Sequence, residues 1–417
     1  MDDTGLIAGL TRPEAYPFPA ESIQVIETHI SWVILTGTVA YKIKKPVNFG
    51  FLDFTTLEAR HRFCLEELRV NRRLADGLYQ DCAPITGSPA QPHMEGSGIP
   101  IEYAVRMRQF DSGCLFDTLA TTGQLGIPVL ERLADRLATF HQALTPAQPD
   151  TVYGSADIIC QAAMDNFSLL AQCPLAAEDQ AALHTLARWS EQTGQALRPI
   201  FHDRKRLGFI RECHGDLHLG NIVLLDGEPT PFDGIEFNAH FRWIDLMNEL
   251  AFLVMDLEIH GLETQATCVV NRYLETTGDQ AGLQVFTYYR LYRAMVRAKI
   301  SQLSREPATE TAEQKAQALA RLRTYLTYGL SLIQPIPPRL YMTHGYSGSG
   351  KSRLAAQLAE RSRAICLRSD VERKRLHALR PSGLERYDPA FTEHTYRYLL
   401  DLARTLLTAG FSVVVDA

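Results

Sequence analysis

HGDLHLGN, residues 214–221, followed by PFDGIEF, residues 231–237, is the stretch on which the reading of this chain turns. It puts Asp216 five residues before Asn221, with Asp233 twelve residues further on. Two short apolar stretches, the second carrying Asp233, flank Asp-Gly and Pro punctuation that begins at Asp226 and Gly227. Phosphoryl transfer from ATP needs a carboxylate to orient or deprotonate the acceptor hydroxyl, and oxygen ligands to hold Mg²⁺ on the phosphates. Asp216 fits the first task; Asn221 and Asp233 fit the second. His214 is assigned to holding the loop backbone in shape. Asp and Asn are also ordinary turn residues that hydrogen-bond their own backbone. Asp233 and the elements that precede the loop weigh towards chemistry.

Outward from this loop the apolar period is helical, over residues 128–143, 155–172 and 176–205 before it and 243–260, 263–276 and 281–303 after it. Nearer the N-terminus, IQVIETHISWVILTGTVAYKIKKPV (23–47) is β-branched and aromatic with Thr-Gly punctuation, which predicts two or three antiparallel strands. TTLEARHRFCLEELRVNRRLADGLY then reads as an amphipathic helix begun by a Thr cap. Short strands are expected around Ala83–Thr86 and Ile101–Gln109, with the turn-rich GSPAQPHMEGSGIP between them. A strand-rich part over about residues 20–110 thus precedes a helical part over about residues 111–333.

In these residues the chain resembles the aminoglycoside phosphotransferase and choline kinase branch of the protein-kinase-like fold. HGDLHLGN and PFDGIEF look like that family's catalytic and metal loops. The resemblance implies Asp216 as catalytic base and Asn221 and Asp233 as magnesium ligands, with ATP and Mg²⁺ as the cofactors. Asp245, in FRWIDLMNELAFL, resembles the family's downstream Asp that braces the catalytic loop, a structural role. The fold also requires a lysine on an N-terminal strand, paired with a helix carboxylate. In VAYKIKKPV the run from Val39 to Lys42 resembles the kinase V-A-I-K strand, so Lys42 is the first choice. Lys44, two residues on, shares its face and is the alternative, and Lys45 is expected in solvent. Of Glu66 and Glu67 in CLEELRV, Glu67 is preferred, because Val70 and Leu74 would pack beneath it. No GxGxxG precedes the lysine strand, which leaves a phosphate-covering loop unassigned.

A second motif lies past QPIPPR, where Pro335, Pro337 and Pro338 end a long helix expected over about Thr309–Leu332. GYSGSGKS (345–352) matches G-x-x-x-x-G-K-[ST] through Gly345, Gly350, Lys351 and Ser352, with Gly348 and Ser349 inside the cradle. Backbone N–H groups and the following helix N-terminus would surround phosphate there. Lys351 would meet the β/γ oxygens and Ser352 would ligate Mg²⁺. The strand LYMTH before it and the helix SRLAAQLAERS after it supply the expected context. Downstream, RSDVERKRL resembles small P-loop kinases grouped with zeta toxins and polynucleotide kinases, which implies Asp370 as a second candidate base and Arg373 as a phosphate clamp. GFSVVVDA reads as a buried strand ending in Asp416, a candidate Walker-B-type or substrate carboxylate.

The fold class expected is therefore an α+β protein-kinase-like two-lobed domain over residues 1–333, a Pro-rich linker over 334–339, and a partial α/β P-loop NTPase domain over 340–417. This tandem order resembles bacterial proteins described as an aminoglycoside phosphotransferase family enzyme joined to a predicted AAA-type kinase. About 80 residues fall short of what such a P-loop domain needs to close its sheet, so truncation is expected. Charge follows the same division. Residues 339–417 hold 13 Lys and Arg against 8 Asp and Glu, and the remainder holds 29 against 40. The acidic larger part argues against a nucleic acid partner, whereas the basic part suits a phosphate-bearing ligand and leaves nucleic acid open there.

The 417 residues, 46% hydrophobic and 22% charged, exclude disorder and collagen-like composition. No run of eighteen apolar residues occurs and no basic leader opens the chain, so no membrane association is expected. Eight cysteines scattered singly, without CxxC or zinc spacing, fit a reducing cytoplasm. The expected activity is an ATP-dependent phosphotransferase acting on a hydroxylated small molecule. Its rivals are a nucleotide sensor that transfers nothing and a P-loop nucleotide or polynucleotide kinase regulated by the larger domain.

Overall fold

Strand Val39–Lys44 sorts its side chains by the period of two that a pleated strand imposes. Tyr41 and Ile43 enter one apolar core with Leu6, Leu10, Tyr16, Ile34 and Met94. Ala40 enters the opposite core, with Val105, Met107 and Tyr79 of the sheet and Cys64 and Leu68 of the helix Leu57–Ala75. Lys42 and Lys44 alternate with Tyr41 and Ile43, so both point to the side that this helix covers. The computed structural model describes residues 3–20, 22–303, 311–346, 348–379 and 388–417. Residues 1–119 with 214–243 make up one compact unit, and residues 120–213 with 244–417 make up the other.

The first unit is built on a six-stranded antiparallel sheet in the order Gln24–Glu27, Ser31–Leu35, Val39–Lys44, Glu102–Arg108, Tyr79–Ser88, Gln91–Met94. The lysine strand is central, with Lys42 paired to Val33 on one side and Val105 on the other. Two elements that belong to or pack on this sheet depart from expectation. The segment expected to be all turn contains the strand Gln91–Met94, an edge strand in which Pro92 costs no ladder donor. The helix Asp3–Leu10 has no polar face for periodicity to reveal, and Leu6 and Leu10 are buried in the first core.

Helix Leu57–Ala75 starts where Thr56 caps it, its hydroxyl accepting from the N–H of Ala59 at 3.1 Å. Loss of an N-cap costs about 1 kcal/mol. Thr56→Ala is therefore expected to lower unfolding free energy by about that amount in urea titration with the m-value unchanged. The HGDLHLGN motif lies in the same unit. It is followed by the hairpin Ile222–Leu225 and Glu228–Pro231, whose turn is Asp226 and Gly227, both at positive φ. An Asp-Gly pair suits this tight reversal because both positions tolerate the left-handed region.

In the second unit, helices Ile127–Ala143, Ala156–Leu170, Ala177–Arg206, Leu246–Ile259, Glu263–Thr277 and Phe286–Leu303 fall within a few residues of the sequence expectation. The exception is the start of the last, where a 3-10 segment, Gln280–Val285, comes first. Helix Ala312–Ile333 follows, and its expected start at Thr309 lies outside the described residues. Asp245 caps the Leu246 helix by accepting from the N–H of Met247 and is held by Arg204 at 2.7 and 2.8 Å, which also grips Asp279. Residues 340–417 form a parallel sheet in the order Leu340–Thr343, Val413–Asp416, Ile365–Arg368, with helices Lys351–Ser362, Ser369–Leu379 and Pro389–Thr408. Among the described residues no helix is long and apolar enough to cross a membrane.

Candidate functional site

Two lysines and one buried carboxylate form the centre of the first unit. Glu67 is fully buried, and its two oxygens accept separately from Lys42 at 2.9 Å and Lys44 at 2.7 Å. Lys42 also pairs with Asp233, and Lys44 with Glu236. Both lysines thus meet the same helix residue, and the alternatives left open by the sequence describe one cluster. Glu66 faces elsewhere, towards Arg69 and Arg242. Lys45, expected in solvent, lies over the Trp32 ring and pairs with Glu27, its side chain only 14% exposed.

Burial alone would raise the Glu67 carboxyl, but Lys42 and Lys44 outweigh it and hold the group down to about 2. Burial would lower both lysines, and the carboxylates around them push them above the usual ammonium range instead. Glu236 goes the other way: burial raises it against the pull of Lys44. Two ammonium groups thus face three carboxylates. The Asp233 carboxylate, 41% exposed, is the open end of the cluster.

Helix Leu57–Ala75 also holds the backbone of the PFDGIEF loop. Asn71, one turn after Glu67, accepts from the N–H of Gly234 at 2.6 Å, and its amide donates to the Gly234 carbonyl at 3.3 Å. Tyr79 accepts from the N–H of Asp233 at 3.0 Å, and Asp233 itself sits at φ +59°. That conformation is uncommon for a non-glycine residue and marks a position held by its surroundings.

His214 joins the two loops. Its Nδ1 accepts from the N–H of Asp216 at 3.3 Å, so Nε2 carries the proton and donates to the Phe232 carbonyl at 2.8 Å. Gly215 has φ +89°, and a Cβ there would lie 2.7 Å from the Phe241 carbonyl oxygen, so no larger residue fits. Asn221 donates its amide to the carbonyl and the carboxylate of Asp216 at 3.0 and 2.9 Å. Its amide oxygen is the atom these two bonds leave unused. His218 Nε2 lies 3.5 Å from the same Asp216 carboxylate. Asp216, Asn221 and Asp233 present hard oxygen atoms from adjoining loops, the donor chemistry that suits Mg²⁺.

In the second unit, the residues of the glycine-rich loop lie at the surface before helix Lys351–Ser362. Gly345, Gly348 and Ser349 belong to the turn, and Gly350 caps the helix in the left-handed region at φ +89°. Lys351 donates back to the carbonyls of Gly345 and Tyr346 at 2.7 and 3.1 Å, which folds the ammonium over the loop. Ser352 follows in the first turn. Asp416 ends the central strand, buried, and accepts from the Thr343 hydroxyl at 3.0 Å. Asp370 lies exposed in the first turn of helix Ser369–Leu379 beside Arg368 and Lys374, and Arg373 donates to Thr392 on the next helix.

Sequence reasoning assigned nothing to Glu236, Asn71, Tyr79 or His218. Asn71 carried a signal, since a mid-helix Asn disfavours the helix unless its amide is used elsewhere. The fold also gathers His141, Cys213 and Glu249, all buried, with ligand atoms within 4.8 Å of one another. Residue spacing along the chain does not show that grouping.

An AAA domain family matches residues 340–417. Over 97% of its length the chain is 30% identical to the uncharacterized protein Rv2004c of Mycobacterium tuberculosis (strain ATCC 25618 / H37Rv), covering 80% of that protein. The uncharacterized protein Mb2027c of Mycobacterium bovis matches to the same extent. Among solved structures, an amicoumacin kinase, hAmiN, in complex with AMP-PNP, Ca²⁺ and Ami is similar with a TM-score of 0.48 at 12% identity, over 78% of this chain and 94% of that one. A choline/ethanolamine kinase family protein from Mesorhizobium loti is similar with a TM-score of 0.42 at 11% identity, over 74% and 92%. The antiparallel sheet, its lysine strand, the carboxylate helix and the paired loops supply the parts that the kinase lysine–glutamate arrangement requires. The parallel sheet with its glycine-rich turn and helix is an α/β P-loop region.

Proposed function

We propose that this chain, which belongs to the same family as the mycobacterial proteins Rv2004c and Mb2027c, is an ATP- and Mg²⁺-dependent phosphotransferase acting on a hydroxyl of a small molecule. The observation that carries the reading is the shared grip of buried Glu67 on Lys42 and Lys44, with the exposed carboxylate of Asp233 on Lys42. A strand lysine so held is aimed and charged, ready to exchange Asp233 for phosphate oxygens. Asn221 and Asp233 would hold Mg²⁺, which neutralises charge on the phosphates.

Asp216 would accept the acceptor's hydroxyl proton as its oxygen forms a bond to the γ-phosphorus. The bond from that phosphorus to the bridging oxygen breaks, and ADP leaves with its electron pair. Asn221 and His218 keep the Asp216 carboxylate oriented.

Mg²⁺-dependent ADP release by the purified chain, with a pool of hydroxylated metabolites and aminoglycosides, tests this reading. Acceptor-dependent turnover is expected. Binding of MgATP that no acceptor converts to ADP would instead support the sensor. Asp233→Asn should raise the Mg²⁺ concentration for half-maximal rate by about tenfold or more, because one anionic ligand is lost.

A second reading places chemistry at the P-loop, favoured by Lys351 folded over an exposed glycine-rich turn with Asp416 ending the central strand. Turnover abolished by Lys351→Ala but retained by Lys42→Met would move the reaction to that site.

A further inference from the structure

Helix Glu263–Thr277 is joined to the P-loop region by a set of specific polar contacts within the second unit. Asn271 behaves as one more residue of the sheet edge: its amide donates to the Ala364 carbonyl at 3.0 Å and its oxygen accepts from the N–H of Cys366 at 2.8 Å. Glu275 pairs with Arg368 at 2.8 Å, and its carbonyl accepts from Arg375 at 2.6 Å. Gln280 donates to Glu372 at 2.8 Å.

These contacts frame a cleft of about 380 Å³ that Ser352 of the P-loop helix and Cys268 of the Glu263 helix also line. Three of its lining side chains carry a buried polar atom with no partner: Gln280 Oε1, Glu372 Oε2 and Arg368 Nε. Gln280 and Glu372 are 3% and 2% exposed, so bulk water does not serve them. A buried polar atom left unpaired costs about 1–3 kcal/mol. Three lining one cleft are the mark of a site that something polar completes.

The inventory of those atoms selects the chemistry. Two are acceptors and one is a donor. An anion would satisfy Arg368 and meet the Glu372 carboxylate. A cation would satisfy Glu372 and leave the Arg368 N–H without an acceptor. Hydroxyl groups donate and accept at once, and carry no charge into a cleft whose Arg368 is already neutralised by Glu275. The volume is that of about a dozen water molecules at ~30 Å³ each, which a sugar-sized molecule also fills.

We propose that this cleft is a binding site for a small neutral polyol, a sugar or alditol, held by Gln280, Glu372 and Arg368 next to the P-loop helix. Because its walls come from both the Glu263 helix and the P-loop region, an occupant bridges the two. The site is separate from the Lys42–Glu67–Asp216 cluster and does not depend on phosphotransfer there.

Saturation-transfer NMR on the full chain tests it, with D-ribose, ribitol and myo-inositol as probes and inorganic phosphate and ethylammonium as competitors. At least one polyol should bind saturably in the millimolar range or tighter, with neither ion displacing it. Gln280→Leu removes one acceptor and the donor to Glu372 at similar volume, and Cys268→Phe fills the cleft without replacing any of the three polar side chains. Each should weaken binding about tenfold or more while the thermal midpoint of Cys268→Phe stays at or above wild type. The proposal is overturned if no polyol saturates and the cleft holds water only, if phosphate or ethylammonium competes, or if binding persists in both variants.

Discussion

Asp216→Asn is expected to lower acceptor-dependent kcat by about 10²–10⁴-fold, the span a positioned general base contributes. MgATP affinity should change by less than about threefold, since the loss is confined to the transition state. Asn is the informative replacement because it keeps the shape of Asp216. Its amide oxygen can still accept from Asn221, which in the wild type donates to the Asp216 carboxylate at 2.9 Å. What it lacks is an atom that takes a proton. Asp216→Ala removes that anchor for Asn221 as well, so it should weaken Mg²⁺ dependence together with kcat. A difference between the two variants therefore separates proton transfer from metal positioning. If Asp216→Asn turns over at the wild-type rate, Asp216 is a turn residue of the loop and the base lies elsewhere.

The legible part of this molecule was the part written in local pattern. Helices such as Ile127–Ala143 and Glu263–Thr277 show an apolar stripe because one side is buried, and the lysine strand shows alternation because one face enters an apolar core while the other carries Lys42 and Lys44 to Glu67. Asp226-Gly227 announced its hairpin because few other pairs accept two positive φ values in sequence. Glu67 was separable from Glu66 for the same reason, since only one of two adjacent helical residues can point inward.

What stayed hidden depends on contacts distant in sequence. Lys44 meets Glu236 across 192 residues, and Asn71 meets Gly234 across 163, so no window along the chain contains both partners. Lys45 is expected in solvent because nothing beside it in the sequence marks a partner, yet its ammonium lies over the ring of Trp32, which pairs through strand Ser31–Leu35. Helix Ser369–Leu379 hides behind its charged residues, Asp370, Glu372, Arg373, Lys374 and Arg375, whereas Pro389–Thr408 buries Phe391, Leu399, Leu402 and Leu406 at helical spacing.

Glu67→Gln should lower the unfolding free energy at pH 7 by about 3–5 kcal/mol, the cost of removing one partner from a buried ion pair. Two ammonium groups are affected, because Lys42 and Lys44 each lose their contact with the same carboxylate. The pH dependence identifies the source. Glu67 titrates near 2 in the folded chain against an ordinary value of 4.5, so its contribution is present above about pH 4.5 and is lost as pH falls towards 2. Denaturant titrations between pH 5 and the acid limit should therefore show a steeper loss for the wild type than for Glu67→Gln, with the two curves converging in acid. Glu236 provides the contrast. Its folded value is raised by burial, so its linkage has the opposite sign: the stabilisation it brings is present below about pH 4.5 and is lost as pH rises through the raised value. Glu236→Gln should then cost less at pH 7 than Glu67→Gln, because Lys44 keeps Glu67 and a carboxylate that burial opposes is removed. Equal costs at pH 7, or parallel acid limbs for wild type and Glu67→Gln, would mean that the lysines are held by the surrounding core rather than by the Glu67 charge.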